Sequence, residues 1–258
     1  MTPEFLSIRD KKVAFVKQEF FPNRPYLVFL HDSLGCIELW RDFPEKLAKR
    51  LKMNVFIYDR LGYGQSDSFI HSVREVNYMD AEADFLKEVL DTMEIEKPIL
   101  FGHSDGGTIA LLYASKFPSN LKSLIVEGAH IFVEEITLEG IREAKLALET
   151  TNLFQKLERY HGAKTQALLD AWIDTWLSDA FRTWNIERQL ETITRPILVI
   201  QGENDEFGSD LQVLGIMNKV QSQMKQSFLF PNAKHTPHKE IPEVVLGVCE
   251  EFVVGIED

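Results

Sequence analysis

From residue 25 onward, short apolar runs alternate with amphipathic stretches, and this rhythm restricts the fold more than any other property of the chain. The runs at 26–30, 54–58, 98–101, 121–126, 196–201 and 226–230 are almost continuously apolar, as strands covered on both faces should be. Between them, 39–51, 78–93, 108–117 and 211–220 carry helical spacing. A last such stretch, 242–254, begins with a proline suited to a first helical turn. The alternation predicts an α/β fold with a mostly parallel central sheet and helices on both faces. Residues 12–18 are expected to add an antiparallel edge strand.

One region breaks the rhythm. Residues 134–190 hold no strand-like run and read as three or four consecutive helices. We therefore expect a core domain from 1–133 and 191–258 with a helical cap at 134–190. Ligands of open parallel sheets bind beyond the carboxyl ends of the strands, so a cap there would close a pocket. The cap holds three of the four tryptophans, Trp172, Trp176 and Trp184. Trp172 and Trp176 lie four apart, so they can glue cap helices together or line the pocket.

Composition excludes more than it selects. With 28 basic against 40 acidic residues the net charge is −12, which disfavours nucleic acid and anionic membranes as partners. The first residues lack the basic and apolar regions of a secretory signal, and no apolar run approaches membrane-spanning length. Cys36 and Cys249 suggest no disulfide framework, so a cytoplasmic home is expected. Cys36 follows the loop after the first central strand and could face a pocket, though a small buried core residue suits it better. The histidines are scattered, and neither a metal motif nor a glycine-rich phosphate loop occurs, so we expect no metal and no cofactor. A small-molecule substrate is the expected partner, and a homo-oligomer stays open.

Gly102-His103-Ser104-Asp105-Gly106 joins an apolar run to a helical one. A G-x-S-x-G in that position marks a sharp strand-to-helix turn that presents the serine at the mouth of the sheet. A Cβ at Gly102 or Gly106 would collide with the neighbouring strand or helix. A serine hydroxyl needs a base within reach, and a histidine base needs a carboxylate to hold its tautomer. In this architecture the order along the chain is Ser, acid, His. The run at 196–201 leads into Gly202-Glu203-Asn204-Asp205, making Asp205 the acid, with Glu203, Glu206 and Asp210 as rivals. The last apolar run leads into Lys234-His235, making His235 the base and His238 its rival. Two N–H donors are needed for a tetrahedral oxyanion, and the backbones of Ser33 and Asp105 stand where they should be.

These motifs, with Asp59-Arg60-Leu61-Gly62-Tyr63-Gly64-Gln65-Ser66-Asp67 and His235-x-x-x-x-Glu240-x-Pro242-Glu243, resemble the α/β-hydrolase fold family from about residue 25 to the C-terminus. The resemblance implies Ser104 as nucleophile, Asp205 as acid and His235 as base. It implies a structural role for 59–67, with Arg60 in an ion pair. Two positions depart from the pattern. The family's loop after the first central strand usually reads His-Gly, whereas here it reads His31-Asp32, and Lys234 stands where many relatives have glycine. Asp32 can turn away to cap its loop or face the pocket and influence substrate choice. Beside a developing oxyanion, its charge would be unfavourable unless paired.

Within that family, Ser104 argues against haloalkane dehalogenases, which use an aspartate nucleophile. Cofactor-free peroxidases share the triad. A polar, acidic chain does not suggest a lipase. Carbon–carbon bond hydrolases often carry tryptophan after the catalytic histidine, where this chain has Thr236. They tend to place an arginine in the cap, a role Arg182 could fill unless it forms a surface ion pair. The expected activity is serine hydrolysis of a small carboxylic ester, lactone or thioester through an acyl-enzyme. The alternatives are C–C hydrolysis of a vinylogous ketone-acid and a non-catalytic ligand-binding protein of the same fold. Asp32, His103, Trp172, Trp176, Arg182 and Trp184 are the pocket candidates.

Overall fold

A strand with apolar side chains on both faces needs cover on both, and the chain supplies it from each side of one sheet. The computed structural model describes residues 2–69 and 74–256, so residues 1, 70–73 and 257–258 of the expected core domain lie outside it. The sheet among the described residues has eight strands: β1 (Glu4–Ile8), β2 (Lys11–Gln18), β3 (Tyr26–Leu30), β4 (Asn54–Tyr58), β5 (Ile99–His103), β6 (Ser123–Glu127), β7 (Ile197–Gly202) and β8 (Lys225–Phe230). Their order is β1-β2-β4-β3-β5-β6-β7-β8. β1 pairs with β2, and β2 with β4, antiparallel; every other pairing is parallel.

The helices are α1 (Phe43–Leu51), α2 (Tyr78–Thr92), α3 (Asp105–Lys116), α4 (Glu135–Thr150), α5 (Leu153–His161), α6 (Thr165–Trp176), α7 (Glu187–Leu190), α8 (Asp210–Lys219), α9 (Pro237–Glu240) and α10 (Pro242–Gly255). Leu27, Phe29, Ile99, Phe101, Leu198 and Ile200 point to the face covered by α1 and α10, against Leu47 and Leu246. Their neighbours Val28, Leu30, Leu100 and Val199 point the other way, to Leu86 of α2, Ile109 of α3 and Val213 of α8. Burying a side chain of this size contributes about 2 kcal/mol. Exposing either face would therefore exceed a domain's whole net stability of roughly 5–15 kcal/mol.

The edge of the sheet differs from expectation. β2 is not the edge strand, because Glu4–Ile8 lies outside it as β1. The two-residue connection between them is Arg9-Asp10, both with positive φ (52° and 58°). Asn-Gly or Asp-Gly usually announces such a turn, and here neither residue does.

α4 to α7 fall between β6 and β7 in the chain. The end of α5 docks on loop 59–67. His161 Nδ1 accepts the Gly64 N–H at 2.9 Å, and its Nε2 donates to the Leu34 carbonyl at 3.1 Å. Lys164 Nζ caps the carbonyls of Gly64 and Ser66 at 2.8 and 2.6 Å. Beneath this corner Tyr63 packs with Leu157, Leu168 and Leu169 as a small separate core.

Ser104 sits between β5 and α3 with φ 54° and ψ −120°, a conformation that costs about 1–3 kcal/mol and persists only where its surroundings impose it. They do. The Ser104 N–H donates to the Glu127 carbonyl at 2.8 Å, across the sheet in β6. A Cβ on Gly102 would lie 2.2 Å from the Gly106 oxygen, and one on Gly106 would lie 2.0 Å from the Leu30 oxygen. Gly102→Ala should accordingly lower stability by roughly 2–4 kcal/mol, since the obstacle is backbone and cannot swing aside. Urea unfolding followed by circular dichroism measures it, and a change within about 0.5 kcal/mol would contradict this picture of the crossing.

Candidate active site

Parallel strands bring their carboxyl ends to one edge of the sheet, and the loops there carry the chemistry-bearing side chains. Ser104 follows β5, Asp205 follows β7 and His235 follows β8. His235 Nδ1 lies 2.8 Å from Asp205 Oδ1. Asp205 is fixed in turn by the Phe207 N–H at 2.8 Å, and the His235 ring packs on the Phe207 ring with centroids 4.8 Å apart. Glu240 holds the loop from behind, accepting the N–H groups of Lys234 and Thr236.

Ser104 and His235 line one cavity of about 90 Å³ together with Asp32, Ser33, Asp105 and His130. Its apolar wall includes Trp172 and Trp176 of α6, Ile141 of α4, and Phe207. Trp172 and Trp176 are nearly buried, so each both packs the helices and faces the cavity.

Three expected pocket residues lie elsewhere. Arg182 is on the surface, where Glu135 takes its guanidinium at 3.1 Å. Trp184 stacks on Phe181, with centroids 5.2 Å apart, and does not line this cavity. His103 points behind the site, its Nε2 donating to the His235 carbonyl at 2.9 Å. Burial pushes the His103 pKa well below its ordinary value, with the neighbouring histidines adding to the effect. Among the rivals, Glu206 accepts the His235 backbone N–H at 3.3 Å, and Asp210 opens α8 as its first residue.

His238 is turned inward. Its Nδ1 and backbone N–H both bond the Glu127 carboxylate, and its ring packs against Trp40 and His103. The histidines are thus less scattered than the sequence suggested: His103, Glu127 and His238 bring ligand-type atoms within 4.8 Å of one another. Their contacts are hydrogen bonds among themselves and to the His235 carbonyl. Cys36 is buried away from Ser104, with its thiol pushed up to about 12 by burial.

The loop after β3 is organised by a buried arginine, for which the sequence implies only an ion pair of unspecified partner. Arg60 is fully buried, and its Nη2 donates to the Asp32 carbonyl at 2.9 Å and lies 3.8 Å from Asp105 Oδ2. Burial opposes its charge, but the carboxylates of Glu82 and Asp105 favour it and the guanidinium stays protonated. The Arg60 N–H donates to His31 Nε2 at 3.1 Å, so the His31 proton sits on Nδ1 and is donated to the same Asp32 carbonyl at 2.8 Å. Asp105 Oδ2 also accepts Tyr78 Oη at 2.9 Å, and Tyr78 Oη accepts Trp176 Nε1 at 3.2 Å. Asp59 holds the next turn, accepting the N–H groups of Ile37 and Gln65 at 2.7 and 2.8 Å.

Residues 25–178 match the model of the alpha/beta hydrolase fold family. The chain belongs to that family. It is a hydrolase of that fold, similar to mouse monoglyceride lipase (26% identical, covering 80% of this chain and 73% of the relative). It is equally similar to the human serine hydrolase BPHL (26%, covering 81% and 72%). Among solved structures, a bacterial membrane phospholipase A superposes with a TM-score of 0.81 at 19% identity, over 100% of this chain and 87% of that one. Among the described residues no helix is long and apolar enough to cross a membrane.

The electrostatics fix an expected pH dependence. Burial alone would lower the His235 pKa, but the Asp205 charge and hydrogen bond outweigh it, helped by Asp32, and the imidazole ends above its ordinary 6.5. Burial would raise Asp205, yet His235 brings it below the usual carboxylate value. A base works only when neutral, so hydrolytic kcat/KM should rise with pH through a midpoint above 6.5. Asp205→Asn should lower the rate by about 10³-fold or more and move that midpoint down. A profile flat from pH 5 to 8 would remove His235 from the role of base.

Proposed function

We propose that the protein is a serine hydrolase acting on small carboxylic esters, lactones or thioesters, with Ser104, His235 and Asp205 as its triad. The observation that carries this reading is the 2.8 Å contact of His235 Nδ1 with Asp205 Oδ1, inside the cavity that also contains the strained Ser104. The relatives named as lipases and serine hydrolases support the ester class.

In this reading His235 Nε2 takes the Ser104 proton as Oγ attacks the substrate carbonyl, and Asp205 stabilises the imidazolium. The oxyanion is received by the backbone N–H groups of Ser33 and Asp105. Collapse expels the alcohol or thiol, which takes the proton back from His235. Water then attacks the acyl-enzyme through the same histidine. The helices α4 to α7 act as a cap, and Trp172, Trp176 and Ile141 restrict the acyl group to small or medium size. The two buried free thiols, Cys36 and Cys249, support a cytoplasmic home. The outward Arg182 removes one reason for preferring C–C hydrolysis.

Arg60 has a defined part in this mechanism. The Asp32 carbonyl and the Ser33 N–H are two ends of one peptide unit. Two donors on that carbonyl, Arg60 Nη2 and His31 Nδ1, orient the unit and polarise its N–H toward the oxyanion.

A fluorophosphonate should add once to the wild type, and not to Ser104→Ala, when the intact masses are read. His235→Ala should also abolish labelling, whereas His238→Ala should retain it; the reverse pattern would reassign the base. Arg60→Met should lower kcat by about 10- to 100-fold with KM changed less than about threefold, and Arg60→Lys should recover part of it. A loss confined to KM, or to the unfolding midpoint, would leave Arg60 a structural residue only.

A further inference from the structure

The cavity beside Ser104 contains a carboxylate without an ion pair to lysine or arginine among the described residues; Lys239 lines a separate cleft with it but stays beyond contact distance. Asp32 lines the cavity with a side chain 25% exposed, and among the described residues no lysine or arginine nitrogen comes within 4.0 Å of it. Its neighbour His103 gives no relief. His103 Nε2 bonds a carbonyl, which can only accept, so in the neutral ring Nδ1 carries a lone pair. That lone pair faces Asp32 Oδ2 at 3.8 Å, two acceptors with nothing donated between them. Among the described residues neither lysine nor arginine lines the cavity, and its wall includes the aromatic side chains Trp172, Trp176 and Phe207, a type that accommodates a cation.

We infer that Asp32 is the specificity-determining residue of this site, and that it selects acyl donors carrying an ammonium group a few bonds from the scissile carbonyl. The inference rests on the serine-hydrolase reading above. A neutral substrate forms its oxyanion beside the Asp32 charge, which opposes that oxyanion even as it favours the His235 imidazolium. A cationic one brings a counter-charge with it and offsets the Asp32 field when the oxyanion forms. An anionic acyl group meets the Asp32 charge and is disfavoured. The cavity is small, which keeps the ammonium close to the reacting carbon.

The test compares p-nitrophenyl β-alaninate with p-nitrophenyl butanoate, in which a methyl replaces the ammonium. Each enzymatic kcat/KM is divided by the ester's spontaneous hydrolysis rate. The wild type should favour the cationic ester by about tenfold or more, and Asp32→Asn should bring the ratio to within about threefold of one. In the variant the butanoate rate should rise as the β-alaninate rate falls. A ratio near one in the wild type, or one unchanged in Asp32→Asn, would overturn the assignment. If Ser104 takes the fluorophosphonate but neither ester turns over, protection decides: β-alaninamide should slow labelling more than butanamide in the wild type and not in the variant. Equal protection would overturn the assignment as well. Absence of any adduct on folded wild type is a different result, since it removes the serine-hydrolase reading itself. Circular dichroism and the urea midpoint establish that Asp32→Asn is folded.

Discussion

Contact between backbones that carry no side chains at the point of crossing holds this structure in its working form. α3 passes so close to β5 and β3 that the Gly102 and Gly106 positions leave no room for a methyl group. That closeness imposes the positive φ on Ser104, aims its side chain into the cavity, and sets the first N–H groups of α3 beneath it. The sheet register contributes equally, because the Ser104 N–H is taken by Glu127 of β6 rather than by its own helix. Strain at one residue is thereby distributed over three strands and a helix, none of which can relax alone.

Charge is handled differently on the two sides of Ser104. Behind it, Arg60, Asp105 and Tyr78 form a sealed group in which a full positive charge is directed onto peptide oxygens and a carboxylate. On the open side, no lysine or arginine of the described residues forms an ion pair with Asp32. Burying Arg60 is tolerable only because its neighbours raise rather than lower its affinity for the proton. The outcome is a fixed, oriented field at the loop after β3, built from main-chain atoms and the side chains of Arg60 and His31, neither of which lines the cavity.

Much of this was legible in the sequence, for local reasons. Unbroken apolar runs separated by helical spacing predict a sheet covered on both faces, and the order serine, aspartate, histidine after successive strands predicts where those groups meet. What escaped was non-local or carried by atypical residues. β1 was missed because its turn uses Arg9-Asp10. Arg182 sits beside aromatic residues in the sequence, yet its partner Glu135 is the first residue of α4, far away along the chain. His103 lies within the elbow motif itself, but strand alternation turns it to the back of the sheet, where it meets the His235 carbonyl. Thr137, Ile141 and His130 line the cavity without any sequence signal, since only the packing of α4 brings the first two there. Phe207 could have been found: it follows the acid by two residues at a strand end where ligands bind.

The sheet order gives the site a history as well as a shape. Ser104 and its neighbours are synthesised well before His235, and β8, the last strand of the sheet in the chain, lies at the edge away from β1. In the proposed reading, a growing chain that folds from its amino end therefore holds a strained serine with no base to activate it. Hydrolytic competence arrives only when that edge closes, so a partly made or partly folded chain is chemically silent toward the esters around it.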